Sequence, residues 1–284
     1  MTTPRVSIIM AVLNAQTTLE AALASIAAQT FTDWEFVICD DGSSDETAEI
    51  LASFRSTLGA ERVTVLTNPV NRKLAYSLNR CLDAARGEFI ARMDGDDLSE
   101  PDRLEKQLAY LDDHADVDLV GTAMRRFNGG GLGEVVQPAA EAPDRWVLAR
   151  ASGAPFFHAT VLARRAVFDA VGNYTVSWRT ERCEDLDLWY KFFAAGLRGR
   201  NLSEPLYRVR EDAAAIRRRR PWGRLGSFAT SFKGAWMLGY PPSAYIRELA
   251  NLMKIFVPYR VFDLHRAWTQ SRASRHDRPN RESR

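Results

Sequence analysis

The first 120 residues alternate between short apolar runs and stretches whose apolar residues recur at helical spacing. The run RVSIIMAVLN has the composition of a buried strand, and Leu19, Leu23 and Ile26 recur at helical spacing within residues 17–29. Three further strands are predicted at WEFVICDDG, RVTVLTN and EFIARMD, with helices between them at SDETAEILASF and RKLAYSLNRCLDAAR. This alternation indicates an α/β fold, with a mostly parallel central sheet and helices on both faces.

The pattern loosens from about residue 122. The stretch FNGGGLGEVV predicts a glycine-rich hairpin or loop, and PFFHATVLARRAVFDAVG predicts a strand that enters a short helix. A helix is predicted at EDLDLWYKFFAA, which Gly196 ends, and a last strand at LYRVR. Beyond it lie the basic cluster IRRRRPWGR and the stretch SAYIRELANLMKIFV, whose apolar residues recur at helical spacing before Pro258.

The net charge of +2 conceals an uneven distribution along the chain. Residues 1–204 contain 21 basic and 30 acidic residues, whereas residues 205–284 contain 17 and 6. Nucleic acid would suit so basic a tail, but its basic residues are mixed with apolar ones such as Trp222, Phe232 and Trp236. An anionic membrane surface attracts the same mixture of basic and apolar residues, so we expect no nucleic-acid partner. Two alternatives remain for the tail: it docks on an anionic membrane surface, or its helix packs on the rest of the protein.

Cysteine usage and hydropathy bear on location. Cys39, Cys81 and Cys183 are odd in number and widely spaced, which fits neither a disulfide framework nor a zinc site. The apolar run at residues 6–13 is too short to span a membrane. We therefore expect a cytoplasmic protein. The alternative is a cytoplasmic protein attached peripherally to the inner face of the cell membrane.

Acidic residues follow two of the predicted strands. Asp40 and Asp41 end the second strand, and the sequence DGDD, residues 94–97, follows the fourth. Because ligands bind beyond the carboxyl ends of parallel strands, both clusters are predicted at one edge of the sheet. A solvated acidic turn would explain DGDD without any function. Alternatively, Asp94 and Asp96 hold Mg²⁺ or Mn²⁺ together with a substrate diphosphate, while Gly95 lets the backbone turn.

The ordered set VSIIMAVLN, VICDDGSSDET, NRKLAYSLN, AARGEFIARMDGDD, PDRLEKQL and EDLDLWYKF resembles the family 2 glycosyltransferases with the GT-A fold. The resemblance covers about residues 5–210 and implies a nucleotide-binding half at 1–121 and an acceptor-binding half at 122–210. It also implies inverting transfer of a sugar from a nucleotide diphosphate, expected to be UDP, to an acceptor hydroxyl. Cell-surface polysaccharide, glycolipid or glycosylated natural products would be made, with a carbohydrate or lipid-linked acceptor. Residues 211–284, a basic amphipathic extension, lie outside it.

The resemblance assigns donor-site roles to residues near the strand ends. Asp96 would ligate the metal, Asp94 would contact the ribose or metal, and Asp97 would support the turn. For Asp40 and Asp41 the alternative is capping of the next helix, and for Arg92 an ordinary surface ion pair. The residues expected to contact the nucleotide sugar are Ala11, Asn14, Asp40, Asp41, Lys73, Arg92, Asp94, Gly95 and Arg210.

Catalytic and acceptor roles are also implied. Asp185 would be the general base and Glu184 its orienting neighbour, although acidic residues in the first turn of a helix also complement its dipole. His158 would lie near the acceptor, or else be a hydrogen-bonded core residue. Trp178 and Trp189 would stack on an acceptor sugar, unless they belong to the core.

The sequence departs from the family at a few positions. Ala11 and Leu13 stand where proline and tyrosine are usual, and Arg210 stands where many relatives have a histidine. An arginine could pair with the diphosphate directly, which leaves the metal requirement open. A sugar-phosphate nucleotidyltransferase is a rival interpretation, although MAVLNAQTT lacks its glycine-rich basic loop. A non-catalytic nucleotide-sugar binder is another.

Overall fold

The computed structural model describes residues 3–150, 153–211 and 222–253, and its centre is one nine-stranded sheet. In chain order the strands are β1 Val6–Val12, β2 Trp34–Asp40, β3 Val63–Thr67, β4 Phe89–Arg92, β5 Leu98–Ser99, β6 Leu119–Asn128, β7 Gly131–Val136, β8 Leu162–Arg164 and β9 Gly199–Arg210. The helices are α1 Leu19–Ala27, α2 Thr47–Leu58, α3 Leu74–Ala84, α4 Arg103–Asp113, α5 Trp146–Arg150, α6 Arg165–Val171, α7 Glu184–Ala194, α8 Trp222–Met237 and α9 Pro242–Met253. A short 3-10 helix covers His158–Thr160.

The first half of the sheet is parallel, as the sequence predicts. Strands β3, β2, β1 and β4 lie side by side in that order, and every pair among them is parallel. The register pairs Val12 with Asp40 and Ile9 with Arg92, so β2 and β4 end at the same edge on either side of β1. All seven residues of β2 are buried, which is typical of a central parallel strand covered on both faces.

The second half of the sheet is mixed. Strand β8 pairs antiparallel with both β4 and β6, whereas β6 pairs parallel with β9. The glycine-rich stretch forms the predicted hairpin between β6 and β7. The α/β class and the flanking helices are therefore confirmed, while parallel pairing is limited to the first four strands and the β6–β9 pair. The reason is that β8 has three residues between the 3-10 helix and α6 and returns against β4 without a crossover helix.

Alternate residues of β1 enter two cores on opposite faces of the sheet. Ile9 packs with residues of α3, α6 and α7, whereas Ile8 and Met10 pack with residues of α1 and α4. Cys39, Cys81 and Cys183 are free thiols inside this packed interior. The edge at which β1, β2 and β4 end is thus supported from both faces of the sheet.

Helices α8 and α9 form part of the predicted C-terminal extension. At Gly234 of α8, a Cβ would lie 2.1 Å from the ring of Tyr190 in α7, so only glycine permits this close approach. The rings of Phe232 and Tyr245 join α8 to α9 with their centroids 4.9 Å apart. In the ranges that the structure describes, no helix is long and apolar enough to cross a bilayer. The arginine cluster at 217–220 and residues 254–284, with Pro258, lie outside those ranges, and the boundary at residue 210 stays a prediction.

Candidate active site

The turn after β4 lies directly against the end of β1. A Cβ added to Gly95 would lie 2.6 Å from Cγ1 of Val12, so glycine allows the turn to approach this closely. The hydroxyl of Thr18 donates a hydrogen bond to the carbonyl oxygen of Gly95 at 3.0 Å. Because Val12 also pairs with Asp40, the two acidic segments meet at one edge of the sheet, as the sequence predicts.

Arg92 is a buried cation beneath this turn. Its guanidinium forms an ion pair with Asp94, and its Nε has no hydrogen-bond partner. Burial works against the charged form, but the ion pair with Asp94, together with Tyr207 and Tyr174, outweighs burial and raises the pKa of Arg92. The alternative of an ordinary surface ion pair is therefore wrong for Arg92. The Asp94 side chain stays about one-third exposed, so it remains accessible to a ligand.

The DGDD turn is tied to the end of β9. The backbone N–H of Asp94 donates to the hydroxyl of Tyr207 at 3.0 Å, and the backbone N–H of Arg210 donates to Oδ1 of Asp97 at 2.7 Å. Nε of Arg210 donates to the carbonyl oxygen of Asp96 at 2.8 Å. Asp97 thus has the supporting place expected of it. Burial, with the negative charges of Asp94 and Asp96, raises the pKa of Asp97 to about 8.

Arg103 is a fully buried arginine that sequence reasoning missed. Its Nη2 donates to the carbonyl oxygen of Arg92 at 2.8 Å, and its guanidinium lies over the ring of Tyr207 at 5.1 Å. Gln107, one turn later, accepts from Nε of Arg103 and donates to the carbonyl oxygen of Thr160. The available signal was this polar pair at i and i+4, in register with the apolar face of α4 in the motif PDRLEKQL.

The acidic end of β2 shapes the neighbouring loops. Asp40 accepts a hydrogen bond from the backbone N–H of Ser43, ahead of α2, so the alternative of a helix cap is wrong for Asp40. Asp41 accepts from the backbone N–H groups of Arg72 and Lys73, both at 2.8 Å, and this holds the loop before α3. The same carboxylate also binds the Asn68 amide, which leaves its oxygens largely engaged within the protein.

The other predicted donor-side residues lie near this edge. Ala11 is half-buried in β1, and Asn14 has a left-handed backbone with φ of 51° and accepts from the N–H of Ser44. Lys73 also has a positive φ, of 75°, and its Nζ lies 3.4 Å from Oε1 of Glu181. This ion pair links the loop before α3 to the loop that precedes α7.

Helix α7 begins with the predicted catalytic pair. Glu184 is buried, and burial together with the charge of Asp185 raises its pKa to about 7. Asp185 is half-buried, and burial raises its pKa as well. The charges of Arg92 and Asp94 act on both carboxyl groups. The start of α7 and the turn after β4 therefore share one electrostatic environment.

Of the three predicted acceptor residues, His158 and Trp189 contact other aromatic rings within the protein, whereas Trp178 is exposed. Nε2 of His158 lies 2.7 Å from the hydroxyl of Tyr174, and burial together with the positive charge of Arg92 lowers the pKa of His158 well below its usual value. Trp178 is 71% exposed. Trp189 is 2% exposed and packs edge-on against Phe156, so the prediction that it stacks on an acceptor sugar is wrong. The core alternative holds for Trp189 because its apolar neighbours enclose both rings.

Comparison with known families decides the identity. Residues 7–190 match the model of the glycosyl transferase family 2. The chain is a family 2 glycosyltransferase. It is 39% identical over 261 residues to a protein named as a glycosyltransferase, EpsE of Bacillus subtilis, and the match covers 92% of both chains. It is 29% identical to the amylovoran biosynthesis glycosyltransferase AmsE of Erwinia amylovora, with 74% of this chain and 76% of that one covered. Membership of this family excludes the rival nucleotidyltransferase interpretation.

Solved structures show that this glycosyltransferase has the GT-A fold. Similarity to S. aureus TarS in complex with UDP-GlcNAc has a TM-score of 0.68 at 20% identity, and covers 89% of this chain and 71% of that one. The mannosyltransferase PcManGT from Pyrobaculum calidifontis, in complex with GDP-Man and Mn²⁺, gives a TM-score of 0.56 at 19% identity, covering 96% and 87% of the two chains. The fold expected from the sequence is confirmed.

A divalent cation would have few protein ligands in this glycosyltransferase. In the described part of the chain, no three His, Cys, Asp or Glu side chains form a group that could hold a metal ion by themselves. Asp96 is exposed and Asp94 partly exposed, on one turn. Mg²⁺ is usually bound through one or two carboxylates together with substrate phosphates. The pair therefore fits a cation shared with a diphosphate, but not an all-protein metal site.

Proposed function

We propose that this glycosyltransferase transfers a sugar from a UDP-sugar to an acceptor hydroxyl with inversion at the anomeric carbon, during synthesis of a cell-surface polysaccharide. The observation that carries the proposal is the shared environment of Asp94, Glu184 and Asp185 around the buried cation Arg92. Similarity to AmsE, which is named for amylovoran biosynthesis, supports the polysaccharide product. A UDP donor agrees with the UDP-GlcNAc of TarS, although the same fold takes GDP-Man in PcManGT.

The donor would bind across the edge formed by β1, β2 and the DGDD turn. Ala11, Asn14 and Asp40 would contact the base and ribose, while Asp41 keeps Lys73 in reach through the backbone of its loop. Asp96 and Asp94 would hold Mn²⁺ or Mg²⁺ when it is bound, and such a cation stabilises the negative charge of a departing diphosphate.

Arg210 supports the same end of the donor. It is held by the carbonyl oxygen of Asp96 and by Asp97, so a guanidinium stays beside the turn. A guanidinium can pair with phosphate oxygens through two parallel hydrogen bonds. Arg210 would therefore share with the cation the task of binding the diphosphate.

Asp185 would accept the proton of the acceptor hydroxyl. It is the less buried member of the pair, so it can reach a substrate, and its raised pKa brings it closer to the range in which a general base works well at neutral pH. Glu184, which is more deeply buried, would orient the carboxylate of Asp185. Trp178 is exposed enough to stack on an acceptor sugar. Neutral His158 would form a hydrogen bond with that sugar, and the hydroxyl of Tyr174 would hold the imidazole ring in place.

The test compares Asp185→Asn with Asp113→Asn, which removes an exposed carboxylate at the end of α4. Release of UDP from UDP-sugars with water as acceptor is measured together with UDP binding by calorimetry. We expect Asp185→Asn to lower kcat by about 100-fold or more, and to leave the Kd for UDP within about threefold of wild type. Asp113→Asn should keep the wild-type rate. Wild-type turnover by Asp185→Asn would place the base elsewhere, and UDP binding without turnover by the wild type would favour the binding-protein alternative.

A further inference from the structure

Helix α8 has two faces of different character. Gly226, Thr230 and Gly234 recur every four residues and face the body of the protein. A Cβ at Gly226 would lie 2.9 Å from the carbonyl oxygen of Arg179, and the hydroxyl of Thr230 donates to that same oxygen at 2.8 Å. Gly234 lies against the ring of Tyr190. These small residues hold one face of α8 against Tyr190 of α7 and against the loop that precedes α7.

The opposite face of α8 is aromatic and exposed. Phe228, Phe232 and Trp236 also recur every four residues, about two positions from the small residues and thus on the other side of the helix. Phe232 is 44% exposed and Trp236 is 74% exposed. Tyr245 of α9 packs on Phe232, which brings the two helices together.

Helix α9 also exposes large apolar side chains. Ile246 is 66% exposed and Leu249 is 49% exposed, three residues apart on α9. We call Phe232, Trp236, Ile246 and Leu249 the exposed apolar face. Large apolar side chains grouped in this way mark a site that binds another surface, whereas single exposed apolar residues need no explanation.

Basic sequence precedes α8 and follows α9 along the chain. Four consecutive arginines occupy positions 217–220 ahead of α8, and residues 254–284 after α9 contain eight basic and three acidic residues. Lys233, exposed on α8, adds a positive charge between Phe232 and Trp236. Exposed aromatic and aliphatic side chains on helices beside basic residues are typical of surfaces that enter the headgroup region of anionic membranes. Tryptophan is enriched both at protein interfaces and in the interfacial belt of membranes, and the basic chain before α8 and after α9 favours the anionic bilayer.

We propose that the exposed apolar face docks on an anionic phospholipid bilayer. Since α8 is held against α7 and the loop that precedes it, and α7 begins with Glu184 and Asp185, docking would hold the catalytic end of α7 at a set position relative to the lipid. This second step rests on the proposed function, and it makes a lipid-linked sugar the acceptor that the site would meet at the membrane.

The test is co-sedimentation of the full chain with vesicles of phosphatidylcholine, with and without phosphatidylglycerol. We expect binding to the vesicles that contain phosphatidylglycerol, and weakening of that binding at high salt. Phe232→Ser combined with Trp236→Ser should lower the partition coefficient by at least about tenfold. The matched control is Leu132→Ser, which removes an apolar side chain of similar exposure from the distant β6–β7 hairpin and should bind as wild type.

UDP release with water as acceptor, measured without vesicles, should be the same for wild type and the double variant, which shows that the double variant is folded. Absence of wild-type binding to anionic vesicles would overturn the proposal, and so would unchanged binding of the double variant. A wild-type dimer that the double variant converts to a monomer, with vesicle binding unaffected, would assign the face to a second copy and would also overturn it. UDP release tests the proposed function separately, so that function can stand if vesicle binding fails.

Discussion

Replacing Trp189 distinguishes a core role from an acceptor role for this side chain. Its rings pack against Phe156, His158 and Phe192, with centroids 5.2, 6.2 and 6.4 Å away. A buried tryptophan removes about 150–250 Å² from water, worth about 4–6 kcal/mol at about 25 cal/mol per Å². One term opposes this, because the indole Nε1–H is buried without a hydrogen-bond partner, at a cost of about 1–3 kcal/mol.

The packing of Trp189 and the cost of its unpaired N–H predict different changes in the free energy of unfolding for two substitutions. Trp189→Ala should lower the free energy of unfolding by about 3 kcal/mol, because the lost packing exceeds the relief of removing the unpaired N–H. Trp189→Phe should lower it by less than about 1 kcal/mol, since one ring remains and the unpaired donor is gone. Trp178→Ala, at an exposed position, should change it by no more than about 0.5 kcal/mol.

Urea unfolding followed by circular dichroism measures these differences, and UDP release provides the functional comparison. We expect Trp189→Phe to release UDP at nearly the wild-type rate. The reasoning would be refuted if Trp189→Ala were as stable as wild type. It would also be refuted if Trp189→Phe lost as much stability as Trp189→Ala, since the unpaired N–H would then carry no cost.

The remaining predictions concern the supports of the site. Asp97→Asn, measured with chelator, should remove a pH dependence of the free energy of unfolding. The raised pKa of Asp97 means that the folded wild type holds the carboxyl proton more tightly than the unfolded chain does. Wild-type stability should therefore fall relative to the variant between about pH 4 and 8, by about 3 kcal/mol from pH 5 to 8. Arg103→Lys should lower the free energy of unfolding by about 1–3 kcal/mol and reduce kcat for UDP release, because lysine cannot hold Arg92 and Gln107 together. Asp41→Ala should raise KM for the donor more than it lowers kcat, because the N–H of Lys73 loses its carboxylate acceptor.

Each of these has a contrary outcome. A wild type that gains stability relative to Asp97→Asn as the pH rises would mean that Asp97 is preferred as an anion. Arg103→Lys with wild-type kinetics would limit Arg103 to packing. Asp41→Ala with an unchanged KM would separate the loop before α3 from donor binding. Asp113→Asn, a change at an exposed carboxylate, is the control for lost charge in all three series.

The parallel half of the fold could be predicted because each strand there is a short segment rich in apolar and β-branched residues and each connection contains an amphipathic helix. The mixed half could not, for a physical reason. Strand β5 has two residues and β8 has three, so neither is long enough to show a periodic pattern. Their directions are set by pairing with distant strands, as β5 pairs with Tyr207 and Arg208 of β9.

The candidate site was predictable where its residues stand at strand ends and less so where it depends on distant contacts. Asp40 and the DGDD turn meet at one edge because parallel strands end together. The burial of Arg92 and its supports Arg103 and Tyr207 could not be deduced, since the contact of Asp94 with Tyr207 spans 113 residues. Trp178 and Trp189 look alike in sequence, and only packing separates the exposed ring from the buried one.

The most direct measurement of the central claim is calorimetric titration of UDP into the wild type and into Asp96→Ala, with Mn²⁺ and with chelator. If the acidic edge binds the diphosphate through a shared cation, Mn²⁺ should tighten UDP binding to the wild type by about tenfold or more, and should have little effect on Asp96→Ala. Equal tightening in both proteins, or no effect of Mn²⁺ on the wild type, would contradict the account.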